Sequence, residues 1–171
     1  RLNRLVWLMV WVHCIVGCKP SPSGSPQGGG VGPSDPFLSL MNAGKNYLDQ
    51  GDASNAVVLF EKAVVLVPND PDVRLNLANA FLLEGKASES LQASELVLKL
   101  EPDLAAGHFV KGSALLRLGN FAEAAKSLEN TRRIDPGETA TLFQLGMARM
   151  GLKQWDAAAT AFREGIALDP N

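Results

Sequence analysis

Cysteine is almost missing from this 171-residue chain: Cys14 and Cys18 are the only two, both within the first eighteen residues. That rules out a disulfide framework or a four-cysteine zinc site in the body of the sequence. Histidine is equally scarce, with His13 and His108 alone, so a histidine-based metal or catalytic cluster is poorly supplied. Neither sign of charge dominates. Sixteen Lys+Arg stand against eighteen Asp+Glu, a formal net charge of −2, and no run of like charge is longer than Arg132-Arg133. A basic face for nucleic acid is therefore not expected. No Gly-x-Ser-x-Gly, His-Glu-x-x-His, Cys-x-x-Cys or Walker loop occurs, and Gly28-Gly29-Gly30 is followed by no Gly-Lys-Ser/Thr. The chain reads as a non-enzyme with no metal or cofactor. What it does have is a soluble-globular balance, 46% hydrophobic and 20% charged.

Composition divides the sequence in three. Arg1 and Arg4 precede a mostly apolar run from Leu5 to Val16, interrupted by His13. Crossing a bilayer takes about 20 apolar residues, and this shorter run has the length of a signal-peptide apolar region. It ends Ile15-Val16-Gly17-Cys18, which resembles the lipobox of bacterial lipoproteins. The resemblance implies that residues 1–17 are a cleaved signal peptide and that Cys18 is the lipidated residue, its thiol being the nucleophile that takes up the diacylglyceryl group. The alternative is an uncleaved signal anchor with Cys18 incidental. Lys19 follows the cysteine, a residue that points to the outer membrane, facing the periplasm, under the enterobacterial sorting pattern. Residues 19–36 hold five Pro, five Gly and four Ser. Such a stretch buries too little apolar surface to offset its ordering entropy. It reads, with Cys18, as a flexible tether over 18–36 of roughly 25 Å mean span.

Residues 37–171 repeat. Pro68, Pro102, Pro136 and Pro170 fall 34 residues apart, and Gly51, Gly85 and Gly119 keep the same spacing. Leu66, Leu100, Ile134 and Leu168 precede the prolines by two residues; Ala56, Ser90, Ala124 and Ala158 precede them by twelve. The units are 37–70, 71–104, 105–138 and 139–171, each with two runs of apolar residues at helical spacing, such as Leu142, Leu145, Ala148 and then Ala158, Ala161, Phe162, Gly165. The glycines suit the turn between paired helices. Each proline ends the second helix. Asp35-Pro36 and Asp70-Pro71 read as helix starts, with an Asp cap and Pro in the first turn.

A 34-residue helix–turn–helix unit with these marks resembles the tetratricopeptide repeat. Gly44, Ala78, Gly112 and Gly146 meet its small eighth position, and Ala56, Ser90, Ala124 and Ala158 its small twentieth. Its aromatic eleventh position is met by Tyr47 and Phe81 but not by Leu115 or Arg149; its aromatic twenty-fourth by Phe60 and Phe162 but not by Ser94 or Leu128. Lys111 stands where the family prefers an apolar residue, which puts the packing of the third unit in doubt. The resemblance implies an all-α, right-handed α-solenoid of four repeats, with a concave face formed by the first helices.

By the same resemblance the partner-binding groove is lined by Met41, Lys45, Leu75, Asn79, Phe109, Ser113, Phe143, Met147 and Met150, together with Leu48, Leu82 and Leu116. The expected groove is an apolar strip with a thin polar seam of Lys45, Asn79 and Ser113, suited to an amphipathic helix or an extended apolar peptide. The alternative is that these side chains only pack between neighbouring first helices. A clamp for a C-terminal carboxylate is not expected. Lys45 and Asn76 imitate part of one, but the third unit offers Ala106 and Val110 where basic residues would be needed. His108 reads as structural or solvated, Arg132-Arg133 as a favourable placement at a helix C-terminus, and Trp155 as a packing residue. The leading reading is a lipid-anchored envelope scaffold that binds a protein or peptide partner. Its rivals are a self-associating module, paired through the partly apolar face of Trp155, Ala159, Phe162 and Ile166, and the front of a longer protein.

Overall fold

The computed structural model describes residues 35–169. Cys18, the leader and most of the tether lie outside the described residues, as does Pro170. The described residues form eight α-helices and no strand: α1 Pro36–Asp49, α2 Ala53–Leu66, α3 Pro71–Glu84, α4 Ala87–Leu100, α5 Ala105–Arg117, α6 Phe121–Ile134, α7 Thr139–Gly151 and α8 Trp155–Leu168. They stack as four antiparallel hairpins, α1–α2 to α7–α8.

The punctuation acts where the spacing places it. The second helices end at Leu66, Leu100 and Ile134, two residues before Pro68, Pro102 and Pro136, because the residue ahead of a proline is pushed out of helical geometry. Asp35 accepts a hydrogen bond from the Phe37 amide at 2.9 Å and Asp70 from that of Val73 at 2.9 Å, with Pro36 and Pro71 in the first turns. Within each hairpin the turn is the same two-bond closure. In the second, the Lys86 amide donates to the Phe81 carbonyl (2.8 Å) and the Gly85 amide to that of Leu82 (3.2 Å). The closure requires a left-handed residue, supplied by Gly51, Gly85 and Gly119 at φ 77°, 89° and 76°. In the fourth hairpin Lys153 takes the same place at φ 60°, with the Gln154 amide bonded to Arg149 at 2.9 Å.

Paired helices approach closely at the eighth position. A Cβ on Gly44 would fall 2.6 Å from Phe60, and one on Gly112 2.7 Å from Leu128. In the second unit the trade is reversed: Ala78 replaces Gly, and Ser94 stands in place of the large residue, both fully buried.

The core is shared between hairpins rather than held within them. One cluster joins Met41 of α1, Phe60 and Ala63 of α2, and Val73 and Leu77 of α3; another joins Leu115 of α5, Leu128 of α6, and Leu145 and Ala148 of α7. A hairpin on its own would leave its part of each cluster facing water, so stability comes from stacking. The curvature follows from which helices meet. The first helices touch in succession, α1 with α3, α3 with α5 and α5 with α7, whereas no two second helices touch. The first helices therefore line the inner side of the bend.

Lys111 does not disturb the third unit. Its ammonium pairs with Glu95 of α4 at 3.0 Å, and α5 packs on both α4 and α6. Arg149, in the aromatic eleventh position, reaches across its hairpin to the Ala157 carbonyl at 3.2 Å and pairs with Glu129 of α6. Trp155 corrects its expectation: it is 61% exposed and packs little.

Candidate functional site

The inner face carries two adjoining clefts. The larger, about 480 Å³, lies between α3, α5 and the α6–α7 loop. Leu75, Phe109 and Val110 give it an apolar lining; Asn76 and Asn79 of α3 and Asp135 and Glu138 of the loop give it polar groups. The smaller, about 310 Å³, lies between α1 and α3, bounded by Phe37, Leu38, Met41, Asn42, Lys45, Asp70, Asp72 and Asn76. Asn76 borders both, so the two adjoin along the first helices.

The residues expected in the groove divide into three sets. Leu75, Asn79 and Phe109 are half-buried and line the larger cleft; Lys45 is exposed at the smaller one. Met41 is nearly closed off, being part of the first core cluster, and only floors its cleft. Ser113 requires a correction: it is buried, and its hydroxyl donates within the chain, lying 2.6 Å from the Gln144 carboxamide and 2.9 Å from the Phe109 carbonyl. It ties α5 to α7 and offers nothing to a partner. Leu82 is buried as well. Phe143, Met147 and Met150 are exposed, at 39%, 50% and 47%.

These fates have one cause. The fifth, ninth and twelfth positions of a first helix face the first helix that follows. In the first three units such a helix exists and covers them wholly or in part, Lys45 excepted. After α7 no further first helix is described, and the same positions stand open. Phe143 lies against its own hairpin instead, its ring 6.0 Å from that of Phe162.

The inner face is also more polar than an apolar strip. Asn42, Asn76 and Gln144 occupy the sixth position of their units, one residue beyond the expected fifth. Asp135 and Glu138 arrive from a loop. The Asn76 carboxamide donates to the Asp72 carbonyl at 2.8 Å; the Asn79 carboxamide makes no hydrogen bond within the described residues. Glu138 accepts from the Thr141 hydroxyl at 2.7 Å, and Asp135 from the Gly137 amide at 3.2 Å. Among the described residues no three His, Cys, Asp or Glu are grouped to hold a metal ion. His108 is occupied structurally: its Nε2 lies 2.9 Å from the Pro102 carbonyl, as Arg74 Nε lies 2.6 Å from that of Pro68 one unit earlier. Arg132 pairs with Glu164 and Arg133 with Asp103 in the last turn of α6.

Stacked helical hairpins with a 34-residue period and clefts on the inner face define a helical-repeat scaffold. The chain belongs to the tetratricopeptide repeat family, whose patterns match residues 47–108, 97–139 and 109–171. No curated protein matches the sequence. Among solved structures it is similar to MamA 41-end from Desulfovibrio magneticus RS-1, at 24% identity and TM-score 0.73 over 80% of this chain and 77% of that one. A thermophilic TPR protein of Thermus thermophilus aligns at 21% identity and TM-score 0.71, over 79% and 75% of the two chains. The first TPR of Spaghetti (RPAP3), bound to an HSP90 peptide, aligns at 22% identity and TM-score 0.65, over 68% and 95%. Likeness at these identities is likeness of fold.

Proposed function

We propose that this chain is a membrane-anchored interaction scaffold of the bacterial cell envelope, holding a segment of a partner protein along the inner face of its first helices. The observation that carries the binding reading is the pair of adjoining clefts. It has an apolar lining at Leu75 and Phe109 and polar groups free to bond beside them. A solved neighbour of this fold binds a peptide, which agrees with a binding role here. The anchor reading rests on sequence alone, on Arg1, Arg4, the apolar run and the Ile15-Val16-Gly17-Cys18 box. Diacylation at Cys18 would provide the second chain that stable membrane residence needs. No described helix is long and apolar enough to cross a membrane.

A photo-crosslinking residue at position 109 of the full chain, expressed in envelope-bearing cells, should trap a partner. The same probe at Lys62, on the exposed side of α2, should not. Equal trapping from both places refutes the groove. Phe109→Ala should weaken capture while helicity is retained. Cys18→Ser should leave an uncleaved, unlipidated precursor; normal maturation refutes the lipobox.

A second reading is favoured by the large apolar side chains that α7 and α8 leave exposed, Phe143, Met147, Met150 and Ile166. A second copy of the chain docking there would cover them. Concentration-dependent mass in light scattering, abolished by Met147→Glu, would support that reading; a monomer at all concentrations would refute it.

A further inference from the structure

The clefts of the inner face carry a charge that the chain itself leaves unanswered. Asp70 and Asp72 border the smaller cleft, Asp135 and Glu138 the larger, and Lys45 is the one cation among the residues lining either. None of the four carboxylates is within ion-pair reach of a Lys, Arg or His among the described residues; the ion pairs found there involve Glu84, Glu95, Asp103, Glu129 and Glu164 instead. The other basic side chains of the first helices are turned elsewhere: Arg74 to the Pro68 carbonyl, Lys111 to Glu95, Arg117 to the Leu82 carbonyl and Arg149 to Glu129. The apolar lining of the larger cleft thus lies beside two carboxylates with no cationic partner in the chain, and the smaller cleft adds two more.

Resting on the groove reading above, we propose that the inner face selects a cationic amphipathic segment: an aliphatic or aromatic side chain on Leu75 and Phe109, with Lys or Arg set against Asp135, Glu138 and Asp72. An acidic segment is refused by the same groups. The two asparagines take the segment's backbone, Asn79 with both its donor and its acceptor free. Glu138 is held in place by Thr141 and Asp135 by the Gly137 amide, so the pair that reads charge is preset rather than gathered on binding. Exposed pairs are individually weak and screened by salt. Several acting together amount to roughly tenfold in affinity, enough to choose between partners of equal apolar content.

The test uses the full chain in a non-ionic detergent and two labelled peptides. They share leucine and phenylalanine positions and differ in carrying lysine or glutamate at the rest. Fluorescence anisotropy should show the lysine peptide binding about tenfold more tightly at low ionic strength, with the gap closing as salt is raised. The combined variant Asp72→Asn, Asp135→Asn, Glu138→Gln keeps an acceptor at each place. It should bring the two peptides together without abolishing binding of either. Equal binding of both peptides to the unaltered chain, or preference for the glutamate peptide, overturns the charge selection and leaves the groove standing. A lysine preference that survives in the variant overturns it too, since the charge is then read elsewhere. Failure of both peptides to bind overturns the groove reading itself, and the selection with it.

Discussion

Lys153 is the place where one substitution should make this protein more stable. It is the one non-glycine residue with positive φ among the described residues, at 60°, in the turn position that glycine fills in the other three hairpins. An L-residue held in left-handed geometry costs about 1–2 kcal/mol, because Cβ crowds the following carbonyl. Lys153→Gly removes that cost and returns about 0.4–1 kcal/mol through the greater freedom of glycine in the unfolded chain. Lys153 is exposed and in no ion pair, so no other contact is lost. The net gain is about 0.5–1 kcal/mol. For a chain of this length that raises Tm by about 1–4 °C.

The reverse substitution isolates the torsional effect. Gly85 lies at φ 89°, and a Cβ there would meet nothing within 4 Å. Gly85→Ala is therefore penalised by backbone geometry alone and should lose about 1 kcal/mol. Lys153→Ala keeps the strain and changes little. The assay is urea unfolding followed by far-ultraviolet circular dichroism, with midpoints compared at constant m. If Lys153→Gly is no more stable than Lys153→Ala, the left-handed turn is not strained and the reasoning is wrong.

Ser90 fills the twentieth position, where the other units have alanine; it is fully buried and its hydroxyl has no hydrogen-bond partner. Ser90→Ala should stabilise by about 1 kcal/mol in the same unfolding assay, since an unpaired buried hydroxyl is lost with almost no change in volume. Gly44→Ala should do the opposite. Its Cβ would sit 2.6 Å from the Phe60 ring, which is fully buried and has no room to retreat, so overpacking of about 1–3 kcal/mol should outweigh the better helix propensity of alanine. Asp52 caps α2, and hydrogen bonds from the Asn55 side chain and then its backbone amide hold its carboxyl below the ordinary 3.8. A lowered folded pKa gives stability that is present above the unfolded value and is lost as pH falls through the folded one. Thermal melts should therefore show Asp52→Ala closing its stability gap to the parent as the pH drops below that value.

The residues that mark where the chain turns were legible in the sequence because each acts locally. A proline past the first turn stops a helix, and the 34-residue interval between prolines transferred directly to the ends of α2, α4 and α6. The inner face was less legible because its exposure is not a local property. Met41 and Phe143 share one register position, as do Ser113 and Met147, yet one of each pair is covered and the other open. Helical periodicity tells that a residue is off the solvent side. It does not tell whether the surface that covers it comes from the same hairpin or from the next. Lys111 shows the same blindness from the other side: an apolar position by register became a cation's place because Glu95, sixteen residues earlier, lies within 3.0 Å. The acidic groups could have been found only by asking which loop residues meet the sixth positions of first helices. Asp135 and Glu138 lie nearly a full repeat beyond Phe109, on whose cleft they close. In a stacked array the pairing that matters for a partner joins residues about one period apart. A search at that separation, rather than along each helix, is what brings the charge of the groove into view.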